Sequence, residues 1–169
     1  MADDTDLGDC VREALAAIKN PRFFVTERGF QGELLAQLAS RLQLPNQAIL
    51  GQEYQKRQQE HGLAIRPDII IHEPYDPKRH SARTEGNYAV LELKLNATRD
   101  EAFEDFQSLA TMIKVLRYPV GIFANIASDA TYSELIPQDV RKQIITFAVF
   151  LVDGNTKVIP QRSKSLTQS

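Results

Sequence analysis

Ile65-Arg66-Pro67-Asp68-Ile69-Ile70-Ile71 and, farther on, Tyr88-Ala89-Val90-Leu91-Glu92-Leu93-Lys94-Leu95 are the two stretches on which the reading of this chain turns. Both are apolar runs of strand length and β-branched character. Each carries ionisable residues where a core strand tolerates them poorly, because a buried carboxylate or ammonium must be paired or metal-bound. In the second run alternate side chains share a face, which predicts Ala89, Leu91, Leu93 and Leu95 toward one side and Tyr88, Val90, Glu92 and Lys94 toward the other. Pro67 cannot donate a ladder hydrogen bond and marks a local distortion, one able to aim Asp68 toward Glu92.

Asp68, Glu92 and Lys94 together supply two hard oxygen ligands and one cation. Phosphodiester hydrolysis needs an activated water, a neutralised phosphate and help for the leaving oxygen. A divalent ion held by carboxylates meets the first two needs. Magnesium keeps several waters, so one or two carboxylates suffice. An ammonium beside it can orient the attacking water or stabilise transition-state charge. The expectation is therefore a magnesium- or manganese-dependent nuclease with Asp68 and Glu92 as ligands, the Leu93 carbonyl as an extra ligand and Lys94 as the positioning cation. Taken alone, Glu-x-Lys describes a common surface ion pair; the Pro-Asp at the head of an apolar strand shifts the balance.

Outward from these strands the pattern is helix, helix, three strands, helix, strand, hairpin. Asp6 to Lys19 is an amphipathic helix with Leu7, Val11, Leu15 and Ile18 on its stripe, ended by Asn20-Pro21. Thr26 to Leu42 reads as a second helix, burying Phe30, Leu34, Leu35, Leu38 and Leu42. Ala48 to Arg57 and Leu63 to His72 read as strands around a turn at Glu60-His61-Gly62, and Asn87 to Asn96 as the third. His72 is a strand residue with no second histidine or cysteine spaced to share a metal. Thr98-Arg99-Asp100-Glu101 is a capping box opening a helix through Leu116. Val120 to Ile126 is a buried strand, and Ser128 to Lys142 a short helix broken at Pro137. Ile144 to Val152, Asp153-Gly154-Asn155 and Lys157 to Ile159 form a hairpin. The fold class predicted is α/β (α+β mixed), a central mixed sheet flanked by helices, as one domain over 1–160 with a polar tail over 161–169.

Composition bounds the rest. The chain has 169 residues, 43% of them hydrophobic, and one cysteine, Cys10, which leaves neither an internal disulfide nor a cysteine-rich metal site. The acidic start has no signal-peptide character and no run reaches membrane-span length, so a cytoplasmic protein is expected. A net charge of −2 is not that of a general nucleic-acid binder, so any grip on phosphates must be local. The loop from Glu73 to Gly86, with Lys78, Arg79 and Arg83, lies between the two site-bearing strands and is the candidate phosphate contact.

Pro67-Asp68 followed by Glu92-Leu93-Lys94 at the end of an apolar strand resembles the PD-(D/E)XK superfamily of restriction-endonuclease-like nucleases. The likeness in element order spans roughly residues 26 to 126. The fuller wording, Arg66-Pro67-Asp68-Ile69-Ile70-Ile71-His72 and Val90-Leu91-Glu92-Leu93-Lys94, is similar to a group of its small members. The resemblance implies a restriction-endonuclease-like core, magnesium or manganese on the Asp and Glu, and a catalytic Lys. It also implies two further acids: Glu33, on the helix before the first strand, as a catalytic residue, and Glu53, on the strand beside Asp68, as a metal ligand. Glu33 lies well off the centre of its helix's apolar stripe. The Gln-x-x-x-Tyr of the exonuclease branch reads Gln107 to Thr111 here, and the cysteines of its iron–sulfur members are absent. DNA is the expected substrate, in repair, recombination or defence, with a homodimer or partner subunit supplying further grip. The alternative is a catalytically silent protein of the same fold that binds nucleic acid or protein.

Overall fold

A computed structural model of the chain describes residues 4–45, 47–52 and 65–162. Six strands form one mixed sheet in the order β1 (Ile49–Gln52), β2 (Ile69–His72), β3 (Asn87–Leu95), β4 (Val120–Ile126), β5 (Ile144–Val152) and β6 (Asn155–Arg162). β3, β4 and β5 run parallel, and the outer pairs are antiparallel. Helices α1 (Asp4–Ala17) and α2 (Glu27–Ala39) cover one face, and α3 (Arg99–Leu116) covers the other.

The parity of β3 decides which side chain meets which helix. Ala89, Leu91 and Leu93 join Ile69 and Ile71 beneath α1 and α2, whereas Val90 and Ile70 pack with Phe106, Leu109 and Ile113 of α3. Tyr88 departs from the expected alternation. Ile71 pairs with Ala89 but His72 pairs with Asn87, so Tyr88 sits in a β-bulge and packs against the α1/α2 layer instead. β4 is buried at all seven positions, as a central parallel strand covered on both faces must be.

Thr26 caps α2, accepting from the Gly29 N–H at 3.1 Å, and the helix ends at Ala39, short of Leu42. At α3 the expected capping box is present: Thr98 accepts from the Glu101 N–H and the Glu101 carboxylate accepts from the Thr98 N–H at 2.8 Å. The segment read as a helix broken at Pro137 is two single 3-10 turns, Ser133–Leu135 and Arg141–Gln143, one on each side of that proline. The terminal hairpin turns on Asp153 (φ 50°) and Gly154 (φ 74°), two positive-φ residues of the type I′ kind. Its second strand runs on to Arg162, with Pro160 opposite Phe147 on the sheet edge, so the tail begins later than residue 161. Of the strand expected over Leu63–His72, Leu63 and the turn before it at Glu60-His61-Gly62 lie outside the described residues, and from residue 65 on it is interrupted. Ile65 makes an isolated bridge, Arg66 and Pro67 lie outside the ladder, and pairing starts at Ile69. Among the described residues no helix is long and apolar enough to cross a membrane.

Candidate functional site

The short start of β2 creates the site. The last pair between β2 and β3 is Ile69 with Leu91, yet β3 continues to Leu95 and overhangs its neighbour. One more step in that register sets Asp68 across from Glu92, both on the face covered by α3. Along the overhang the N–H groups facing the space β2 leaves are taken by carboxylates. Leu93 donates to Asp68 Oδ2 at 2.7 Å, and Leu95 donates to Glu27 Oε2 at 3.2 Å. The Leu93 carbonyl lies on the same strand edge as its N–H and is directed into the same gap.

α2 clamps this gap from the opposite face. Glu27 and Gln31 are one turn apart, about 40° round the helix axis. Gln31 is buried, 2% exposed, and its Nε2 donates to the Asp68 carbonyl at 2.8 Å, fixing the backbone that aims the Asp68 side chain. Glu33 lies six residues from Glu27, about 120° from it round the axis on the side away from Gln31, where its carboxylate accepts from Gln37 at 2.7 Å. The α2 acid that reaches the site is therefore Glu27. Glu53 lies outside the described residues.

α3 supplies the remaining acid. Asp105 occupies the i+3 place after Ala102 and the i−4 place before Leu109, both buried, so it faces the sheet. Its Oδ2 lies 3.8 Å from Lys94 Nζ. Four carboxylates, those of Asp105, Glu27, Asp68 and Glu92, thus act on one ammonium, and their combined charge raises the Lys94 pKa against the burial that would lower it.

The electrostatics of the acids follow from this imbalance. Glu92 is 8% exposed; burial first, then the charges of Asp68 and Asp105, hold its pKa well above the carboxylate range. Burial also raises Asp68, opposed by the hydrogen bond from Leu93. Asp68 and Glu92 hydrogen-bond to each other in the sense that puts the proton on Glu92. Asp105 is pushed up to about 6, again by burial, which outweighs the nearby Lys94. Such a group of acids is poised to exchange its protons for a cation. All the donors are hard oxygens, the preference of magnesium and manganese, and the cross-strand pair Asp68–Glu92 meets the requirement for one or two carboxylates. Among the described residues no group of three or more acidic, histidine or cysteine side chains is placed to hold a metal ion, so an ion on the Asp68–Glu92 pair would rely on solvent or substrate oxygens for the rest of its coordination.

The basic loop lies elsewhere. It joins the far ends of β2 and β3, and Glu92 is five residues up the strand from Asn87, about 17 Å away. A hairpin loop lies between two strands in sequence but at the opposite end of the pair from Asp68 and Glu92. Arg79 donates to the buried Glu73 at 2.7 Å and to Gln47 at 2.6 Å, and Arg83 stacks 4.7 Å over the Tyr75 ring. Lys78 is exposed, its backbone N–H capping Asp76 at 2.9 Å.

The structure therefore brings Asp68, Glu92, Lys94 and the Leu93 carbonyl together and adds Glu27, Gln31 and Asp105. A signal for Asp105 was present, an acid at core spacing on an amphipathic helix. Glu27 and Gln31 carried a weaker one, as a polar i, i+4 pair on the helix's inner side. Comparison with protein-family models, with curated proteins and with solved structures gives no match.

Proposed function

We propose that this protein is a metal-dependent phosphodiesterase acting on nucleic acid, DNA in the first instance, with the logic of a PD-(D/E)XK nuclease. The observation that carries the proposal is the cross-strand pair Asp68–Glu92, one carboxyl half-buried and the other buried, each raising or holding the other's proton rather than meeting a cation. Two acids directly opposite on a sheet must share a proton or repel each other, so a purely structural site has reason to avoid the pairing.

Asp68 and Glu92 would hold magnesium or manganese, with the Leu93 carbonyl as a further oxygen. When bound, the ion supplies charge neutralisation at the phosphoryl oxygen and acidifies water. Lys94, beside Glu92 on the same face, orients the attacking water and offsets charge developing on the phosphoryl oxygens. The water gives up a proton to solvent as its oxygen forms the new P–O bond, the ester P–O bond breaks, and the leaving oxygen takes up a proton from solvent. Gln31 and the Leu93 N–H keep Asp68 in place throughout.

One observation favours a second reading. Asp68 and Glu27 also satisfy the edge donors of Leu93 and Leu95, a role that needs no turnover. A silent binding module built on the same fold would keep those bonds. Incubation with plasmid and with linear single- and double-stranded DNA, with magnesium or manganese, separates the two. The proposal expects metal-dependent cleavage that Glu92→Gln abolishes. Absence of cleavage on every substrate, together with absence of manganese binding by calorimetry, would return the site to strand-edge capping.

A further inference from the structure

Asp105 has no part in the chemistry set out above, yet its placement is specific. It sits on the buried stripe of α3 about two turns after the capping box, so the Thr98–Glu101 cap sets the helix phase that turns it toward β3. Its Oδ2 is buried and, among the described residues, makes no hydrogen bond, and this is the atom that faces Lys94 Nζ. At 3.8 Å the pair falls just short of a hydrogen bond, so a movement of a few tenths of an ångström by the ammonium would close it. Of the four carboxylates whose charge reaches Lys94, that of Asp105 acts most strongly.

The physical problem is a crowded one. A divalent cation on Asp68 and Glu92 repels an ammonium two residues along the same strand face. Without a cation, the same ammonium is drawn toward those two carboxylates and competes for them. Both effects call for an anion that engages Lys94 from an element other than the two site strands, and Asp105 supplies one from α3.

Resting on the cation reading of Asp68 and Glu92, we infer that Asp105 is a positioning residue that holds Lys94 off the Asp68–Glu92 pair, so that a divalent cation and the ammonium occupy the site together. Lys94 then remains within reach of the reacting phosphate instead of being expelled by the ion or displacing it.

The test is a double-mutant cycle on manganese affinity, measured calorimetrically on the full chain, which needs no turnover. The four proteins are wild type, Asp105→Asn, Lys94→Ala and the double variant. If Asp105 restrains Lys94, Asp105→Asn weakens manganese binding about tenfold in the wild-type background and about twofold or less once Lys94 is gone. Asp105→Glu, which keeps the charge, restores most of the affinity, and the single-turnover cleavage rate follows the same pattern. Should Asp105→Asn fail to fold, Asp105→Ser serves in the same cycle. An equal loss in both backgrounds would mean that Asp105 adds only diffuse negative charge, and would overturn the inference while leaving the cation site intact. Absence of manganese binding in wild type would overturn both.

Discussion

At the loop end of the β2–β3 hairpin Glu73 is held by Arg79, His80 and Tyr88, whereas at the open end the charges of Asp68, Glu92, Glu27 and Asp105 all act on the ammonium of Lys94. Glu73 is as deeply buried as Glu92, at 5% against 8% exposed, so burial does not distinguish them. Satisfaction does. The Tyr88 hydroxyl donates to one Glu73 oxygen at 2.6 Å, and Arg79 (2.7 Å) and His80 (3.3 Å) approach the other. His80 Nδ1 accepts the Asp76 N–H, which leaves the proton on Nε2 to be given to Glu73. Gly86, at φ +79°, closes the loop where a Cβ would come within 2.9 Å of the Glu73 Cβ. Side-chain donors surround one acid at the loop end, whereas at the open end four acids act on one ammonium. The first arrangement locks a loop; the second crowds acids together in a way that, on the proposed function, a cation would relieve.

The largest effects expected lie at the open end, and they fall on activity. Lys94→Ala should lower cleavage by about 100-fold or more, the scale for loss of one transition-state contact. Manganese binding at Asp68 and Glu92 should survive it. Full activity in Lys94→Ala would break the mechanism, since a surface ion pair contributes about 1 kcal/mol or less and no rate. The mirror experiment is Glu73→Gln, expected to destabilise the fold by about 2 kcal/mol in urea titration, through loss of charge-assisted hydrogen bonds. It should leave manganese affinity unchanged. A Glu73→Gln protein of wild-type stability would erase the contrast between the two ends.

The comparison also has a pH signature. Asp105 titrates near 3.8 when unfolded and at about 6 when folded. Between those values the folded state holds more protons than the unfolded chain, so stability falls as pH rises. Glu92 and Asp68, both raised, act in the same direction. The exposed acids Glu85 and Glu101 are lowered by hydrogen bonds from Ser81 and Thr98, and their opposing slope lies below their usual 4.5. The metal-free protein should therefore melt at a lower temperature at pH 7 than at pH 5, and manganese should restore the difference. Asp105→Asn should flatten the trend. A melting temperature that climbs from pH 5 to pH 7 without metal would show the open-end acids to be as well compensated as Glu73.

The smallest effects sharpen the boundary of the site. Glu33→Gln should change neither cleavage nor manganese affinity, since Glu33 pairs with Gln37. Lys78→Ala combined with Arg83→Ala should leave cleavage within about twofold and the salt dependence of binding unaltered. A slope reduced by about one unit per residue would instead mean that bound nucleic acid runs the length of the hairpin.

Much of the fold was legible because periodicity and caps are local. The Thr98 box, the Asp153-Gly154 turn and the alternation of Val90, Glu92 and Lys94 each follow from a few neighbouring residues. Asp68 and Glu92 were legible for a related reason: ionisable groups in apolar runs are costly enough to be informative. The bulge at Tyr88 and the late start of β2 were not, since both depend on strand register. Glu27 was passed over for Glu33 because helical phase relative to the sheet is set by tertiary packing, which here turns Glu27 and Gln31 inward. The basic loop misled through chain order: adjacency in sequence to both site strands placed it, in space, at their far end.

A crystal of the full chain soaked in manganese, with an anomalous difference map, tests the central claim most directly. The account predicts a peak between the Asp68 and Glu92 carboxylates, with Lys94 Nζ drawn onto Asp105 Oδ2. Saturating manganese with no peak there, and Asp68 still hydrogen-bonded to Glu92, would contradict it.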